Sequence, residues 1–278
     1  MAAIDDPLVG LGYTEPTASR PLTRLGDSAS ASGFATVAEE VPIALVYNGR
    51  SHVVVMGTPA DLEDLAYGFT LTEGIIAEPE QIERVDVVKA SHGIELQIGI
   101  PARAAEALEQ RTRGLVARTG CGLCGVETIS EALRVPVQVT RSLSISDEAL
   151  WRASAELSQR QTLNNATNTI HGAAWCTADG ETQFVREDVG RHNALDKVIG
   201  ALARDGRMAS SGFVVVTSRA SYEMVQKAAT RGVELLAAIS RPTGLAIRFA
   251  EAAGVTLIGL LRGRTASVYT FPERIITS

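Results

Sequence analysis

The chain has 278 residues, 45% hydrophobic and 21% charged, which supplies ample material for a packed core and is ordinary for a folded globular protein. A formal net charge of −6 argues against sequence-blind nucleic-acid binding, which needs a basic surface. The 3 cysteines are too few for a disulfide framework and indicate a reducing compartment. No basic segment followed by an apolar stretch opens the chain, and no apolar run approaches ~18 residues, so the expectation is a cytoplasmic protein without a membrane span.

Residues 1–33 are rich in Ala, Ser, Thr, Gly and Pro without a sustained period, and read as a flexible N-terminal tail. Structure is expected from Val37, where Val41, Ile43, Leu45 and Tyr47 alternate with other residues. Asn48-Gly49 follows, then Val53 and Val55, a pattern that signals a β-hairpin. From Pro59 to Leu71 the spacing turns helical, with Leu62, Leu65, Ala66 and Phe69 on one face and Asp61, Glu63 and Asp64 in the first turn. Two short strands are expected around 85–88 and 94–100. A helix over 104–117 then runs into Arg118-Thr119-Gly120-Cys121-Gly122-Leu123-Cys124-Gly125.

That loop places Cys121 and Cys124 in a C-x-x-C pair with glycine before, between and after them. Thiols this close can bind a metal, cycle through a disulfide or hold a persulfide. Glycine lets the backbone take positive φ and lets a bulky partner approach the sulfurs. Arg118 could lower a thiol pKa toward the reactive range. His171 and Cys176 could complete a Cys₃His zinc set, and a thioredoxin-like redox pair is a further alternative.

Residues 136–144 read as a connector, and Ser146 as the N-cap of a helix carrying Leu150, Trp151, Ser154 and Leu157. Glu187 to Asn193 is dense in polar groups just before a helix whose inner face is Leu195, Val198, Ile199 and Leu202. Asp188 is expected to cap that helix, with His192 facing Asp188 or Asp196. Phe213 to Thr217, Val233 to Ser240 and Val255 to Leu261 are near-continuous apolar runs, with helices over 221–231 and 242–253 between them. This alternation specifies parallel strands with right-handed crossovers, an α/β layer. A fourth strand is expected over 267–270.

Ligands of open α/β sheets sit beyond the carboxyl ends of the strands. Those ends carry Ser218-Arg219, Ser240-Arg241 and Arg262-Gly263-Arg264, with a helix start near Ser221. Guanidinium forks match phosphate oxygens, so a polyphosphate-bearing ligand is expected across this rim. No P-loop G-x-x-x-x-G-K-[ST] is present. In His171-Gly172-Ala173, Ala173 stands where a zinc deaminase of the H-x-E type carries its glutamate, so deaminase chemistry is not expected.

Read together, Glu39 to Pro42, Gly68-Phe69 with Glu73 to Ile76, Thr119 to Gly125, His171 to Ala174, Glu187 to Lys197, Ser218 to Ser221 with Glu223-Met224, and Gly259 to Arg264 closely resemble the FdhD family. The resemblance implies a cytidine-deaminase-like layered α/β domain over 146–278, preceded by an α+β region over 34–145. It implies a sulfurtransferase that takes persulfide sulfur from a cysteine desulfurase. That sulfur passes to molybdenum bis(molybdopterin guanine dinucleotide) for formate dehydrogenase, with no tightly held metal of the protein's own. The family's persulfide cysteine maps onto Cys121, with Cys124 assisting. Its cofactor-binding segment maps onto Leu260, Leu261, Arg262, Gly263, Arg264 and Thr265, beside Ser218, Arg219, Ser221 and Arg241 of the rim. A homodimer is also implied. Cys176 is not a motif position of the family, which weakens the Cys₃His alternative. A zinc-stabilised guanine-nucleotide or cofactor-binding module without sulfur transfer remains the alternative.

Overall fold

The first regular element lies inside the stretch expected to be a tail. In the computed structural model, which describes residues 15–25, 31–113, 135–140, 142–207 and 209–277, Thr17–Arg24 (β1) and Ala31–Ala38 (β2) form an antiparallel ribbon. Thr17 lies opposite Ala38 and Arg24 opposite Ala31. A boundary at residue 33 therefore falls inside β2. Composition conceals this ribbon because Thr, Ala and Ser carry little apolar contrast and no residue of either strand is fully buried.

Val41–Tyr47 (β3) and Arg50–Gly57 (β4) form the expected hairpin, with Asn48 and Gly49 at φ 49° and 81°. Positive φ at both turn residues matches the twist of the flanking strands. Leu62–Thr72 (α1) follows, then Arg84–Ala90 (β5), Gly93–Gly99 (β6) and Ala102–Arg113 (α2). The four-stranded sheet has the order β4-β3-β6-β5, with β3 and β6 parallel and the outer pairs antiparallel. Ile43, Leu45, Leu96 and Ile98 bury one face of it against Leu65, Ala66 and Leu71 of α1.

The second half runs Ile145–Ser146 (β7), Asp147–Arg160 (α3), Thr162–Thr167 (α4), His171–Thr177 (β8), Thr182–Asp188 (β9) and Arg191–Arg204 (α5). Gly212–Val216 (β10), Tyr222–Thr230 (α6), Leu235–Ala238 (β11), Gly244–Ala253 (α7), Thr256–Arg262 (β12), Thr265–Val268 (β13) and Ile275–Ile276 (β14) complete it. Ser146 caps α3 as its sequence position suggests, its hydroxyl accepting from Ala149 N at 3.1 Å. The six-stranded sheet has the order β13-β12-β11-β10-β8-β9. Its parallel block β10-β11-β12 is the one the apolar runs specify, while β8, β9 and β13 join antiparallel. Helices α5, α6 and α7 bury one face through Leu195, Val225 and Phe249, and α3 buries the other through Leu150 and Leu157. The architecture is mixed α/β. The connector is pinned by buried Glu234, which accepts from Ser142 N and Leu143 N at 2.8 Å each.

The two sheets are joined by α1 against α5. A Cβ on Gly68 would lie 1.7 Å from Asp196 O, and one on Gly200 would lie 1.9 Å from Asp64 O, so the helix backbones touch. Charges flank this contact. Asp64 accepts from Arg186 Nε at 2.7 Å and Arg204 Nη1 at 2.6 Å, and Asp196 meets Lys227 Nζ at 2.9 Å. Burial works against the Lys227 charge, but Asp196 and then Glu73 outweigh it and hold the ammonium above its ordinary pKa.

Candidate functional site

The parallel strands β10, β11 and β12 end on one rim, and each end carries an exposed arginine: Arg219, Arg241 and Arg262. None of the three has an ion-pair partner among the described residues. Arg262 Nε donates to Ile239 O at 3.4 Å, which leans the side chain over the end of β11. Ser218 is buried and donates to Arg219 O at 3.0 Å, so its hydroxyl shapes its own loop. Ser221 precedes α6, and its Oγ is enclosed with no hydrogen-bond partner among the described residues.

Arg264 behaves differently from its neighbours. Its Nη1 donates to Glu148 Oε2 at 3.0 Å and its Nη2 meets Glu148 Oε1, so a carboxylate at the start of α3 already balances it. The segment between is strained. Leu260 takes φ 54°, Gly263 takes φ 56°, and the β12–β13 register shifts between Gly259 and Arg262. A leucine at positive φ is costly, and such strain together with a bulge re-aims side chains at functional edges. Here it buries Leu261 completely under α3 and leaves Arg262 outside. Thr265 Oγ1 donates to Arg262 O at 3.0 Å and closes the turn.

A second group of polar residues reaches the same edge from β8, β9 and α5. His171 starts β8 opposite Asp188, and Gly172 exchanges hydrogen bonds with Thr217 beside Ser218. Burial chiefly, then the Arg191 charge, holds His171 below its ordinary pKa, against the pull of Asp188. The expected helix cap is corrected. Gly190, not Asp188, occupies the N-cap of α5, and Asp188 is fully buried against Lys197 Nζ at 2.6 Å. Asp188 also accepts from Gly190 N at 2.7 Å, Asn193 Nδ2 at 3.0 Å and Thr58 N at 3.1 Å. His192 faces neither Asp188 nor Asp196. Its Nε2 lies 2.7 Å from Glu223 Oε2 in α6. Periodicity along one helix cannot reveal a partner on the next, although Glu223 belongs to the motif set. Lys197 is equally hidden, because a lysine in a helix reads as solvated.

Cys121 and Cys124, with Arg118, lie outside the described residues. Cys176 is buried under α3 with Sγ 3.4 Å from Thr182 Oγ1, and burial pushes its thiol up to about 12. His171 sits at the other end of the 7-residue β8 and on the opposite face, roughly 17 Å along the strand at ~3.3 Å per residue. The two cannot share one ion, so the Cys₃His set is not assembled. Among the described residues no group of three or more His, Cys, Asp or Glu side chains could hold a metal ion, and no helix is long and apolar enough to cross a membrane.

These features define a mixed α/β protein whose parallel strands end in an arginine-bearing, strained rim. The sequence profile of the FdhD/NarQ family matches residues 38–276, and the chain belongs to that family. It is 50% identical over 239 residues to the sulfur carrier protein FdhD of Cupriavidus necator, covering 86% of this chain and 83% of that protein. With the sulfur carrier protein FdhD of Xanthomonas euvesicatoria the identity is 53%, covering 86% and 85%. A crystal structure from Desulfotalea psychrophila, provisionally assigned as a formate dehydrogenase accessory protein, shares the fold. The TM-score is 0.73 at 24% identity, over 94% of this chain and 99% of that one.

Proposed function

We propose that this chain is a sulfur carrier of formate dehydrogenase maturation. The observation that carries the reading is its identity of 50% and 53%, over 86% of its length, to proteins named sulfur carrier protein FdhD. In this reading the Cys121 thiolate attacks the outer sulfur of a cysteine desulfurase persulfide. The desulfurase cysteine leaves as a thiolate and Cys121 keeps the sulfur as its own persulfide. Delivery follows when the Cys124 thiolate attacks Cys121 Sγ. The outer sulfur leaves with the electron pair of the broken S–S bond, and a Cys121–Cys124 disulfide remains for cellular thiols to reduce.

The acceptor is molybdenum bis(molybdopterin guanine dinucleotide), which on this reading is the substrate of the transfer and not a resident cofactor. Arg219, Arg241 and Arg262 would take its phosphates, and the Leu260–Thr265 turn its nucleotide end. Arg264 would join them only by releasing Glu148, so it contributes less. The family resemblance further supports a cytoplasmic homodimer that meets both the desulfurase and formate dehydrogenase and holds no metal of its own. No observation favours the zinc-stabilised alternative.

Loading the purified protein with a cysteine desulfurase and cysteine should add ~32 Da, one sulfur, at Cys121 by peptide mass analysis. Cys176 should stay unmodified by iodoacetamide until the chain is unfolded, because its thiol is buried and protonated. Sulfur loading that survives Cys121→Ala would overturn the assignment.

A further inference from the structure

The four-stranded sheet ends differently on its two sides. β5 forms one edge and carries Arg84, Asp86 and Lys89, charges that keep an open strand edge from pairing with another chain. β4 forms the other edge, and from Ser51 to Gly57 it holds no Asp, Glu, Lys or Arg and no proline. Among the described residues no strand pairs with its outer side.

The open backbone groups can be named. Asn193 Nδ2 of α5 donates to Met56 O at 2.8 Å, so the Met56 backbone points away from β3. Backbone groups alternate sides along a strand, so the N–H and C=O of Val54 point to the same outer edge. The Val54 and Met56 side chains are 57% and 47% exposed on the face opposite α1, across from Ala44 and Pro42. Val53 and Val55 line the other face at the margin of the core. An uncharged edge with apolar side chains on both faces is a template for one more strand.

The length of that template is bounded. The register of β3 against β4 shifts where Val46 meets Ser51 and Leu45 meets Val53, which bends one end, and Asn193 closes the other at Met56. About five residues stay open, ~17 Å of strand, and a strip two strand spacings wide covers on the order of 300 Å² over both faces. A stable interface between whole proteins needs ~800 Å² per partner. The edge therefore fits one short peptide strand and not a second copy of this chain.

We propose that the Val54 edge of β4 is a docking site for an extended peptide segment of a partner protein, added to the sheet as a fifth strand. The segment is uncharged and apolar on both sides, because a charge would be desolvated against Val54 and Met56. Its centre holds no proline, which would lack the N–H that Val54 O requires. The inference is independent of the sulfur-carrier reading.

Fluorescence anisotropy of the full chain with a labelled, end-capped Ser-Val-Thr-Val-Ile-Val-Ser peptide tests it. The native chain should bind this peptide, and a version with proline as its central residue should bind at least ~10-fold more weakly. Val54→Lys, at an exposed position, should weaken binding about 10-fold while the urea midpoint stays in place. Val88→Lys, on the charged edge, should leave binding unchanged. A native chain that binds neither peptide or both equally, or binding that survives Val54→Lys or falls as far with Val88→Lys, would overturn the docking site. So would a native dimer that sedimentation shows falling to monomers on Val54→Lys, since that assigns the edge to a second copy.

Discussion

Along the seam of α1, α5 and α6, each buried carboxylate faces a cation: Asp64 with Arg186 and Arg204, Asp196 with Lys227, and Asp188 with Lys197. At the strand-end rim, Arg219, Arg241 and Arg262 face solvent with no ion-pair partner among the described residues. The seam buries its three carboxylates together with Lys197 and Lys227, while Arg186 and Arg204 reach in from the surface, and a buried ion is tolerable only when paired and hydrogen-bonded. The rim leaves charges of one sign unmatched and adds backbone strain, a cost that contributes nothing to the seam. The contrast separates charge that holds the fold from charge available to a ligand.

The hardest way to break the seam is to orphan one of its ions. Asp188→Ala would strand the Lys197 ammonium, which is fully buried, and should cost about 3–5 kcal/mol in urea unfolding. Replacing both partners, Asp188→Leu with Lys197→Met, should recover a large part of that loss. A single-variant loss under ~1 kcal/mol would mean that the pair is not desolvated as the structure has it.

Steric coupling comes next. Gly200→Ala forces α5 away from Asp64 O and should destabilise by roughly 1–3 kcal/mol. Unchanged stability would mean that α1 and α5 do not pack backbone to backbone.

The smallest effect belongs to the rim. His171 has a folded pKa below its ordinary 6.5, so the unfolded chain binds the proton first as pH falls. Its contribution to stability is complete above ~6.5 and is lost as pH falls below it. His171→Gln should flatten this limb of a urea-midpoint profile measured between about pH 7 and pH 5. A limb of unchanged slope would mean that His171 is not its source.

Much of the fold is legible in the sequence because its signals are local. Asn48-Gly49 needs only its own φ preferences, Ser146 only the N–H of Ala149, and β10, β11 and β12 only their continuous apolar runs between helices. The ribbon β1–β2 is not legible, because its strands carry polar and small residues, none of them fully buried. Of the site, the rim arginines follow from strand-end position alone. The diversion of Arg264 does not, because Glu148 lies 116 residues away in sequence. His192 has countable neighbours on its own helix, yet it meets Glu223 on another.

Sequence alone therefore determined the hairpin, the parallel block, the family motifs and the residue types at the rim, since each depends on neighbours within a few positions. Tertiary structure alone decided which charges neutralise one another and how closely α1 and α5 approach. Those outcomes depend on contacts between distant segments, whose geometry exists only once the two sheets have packed.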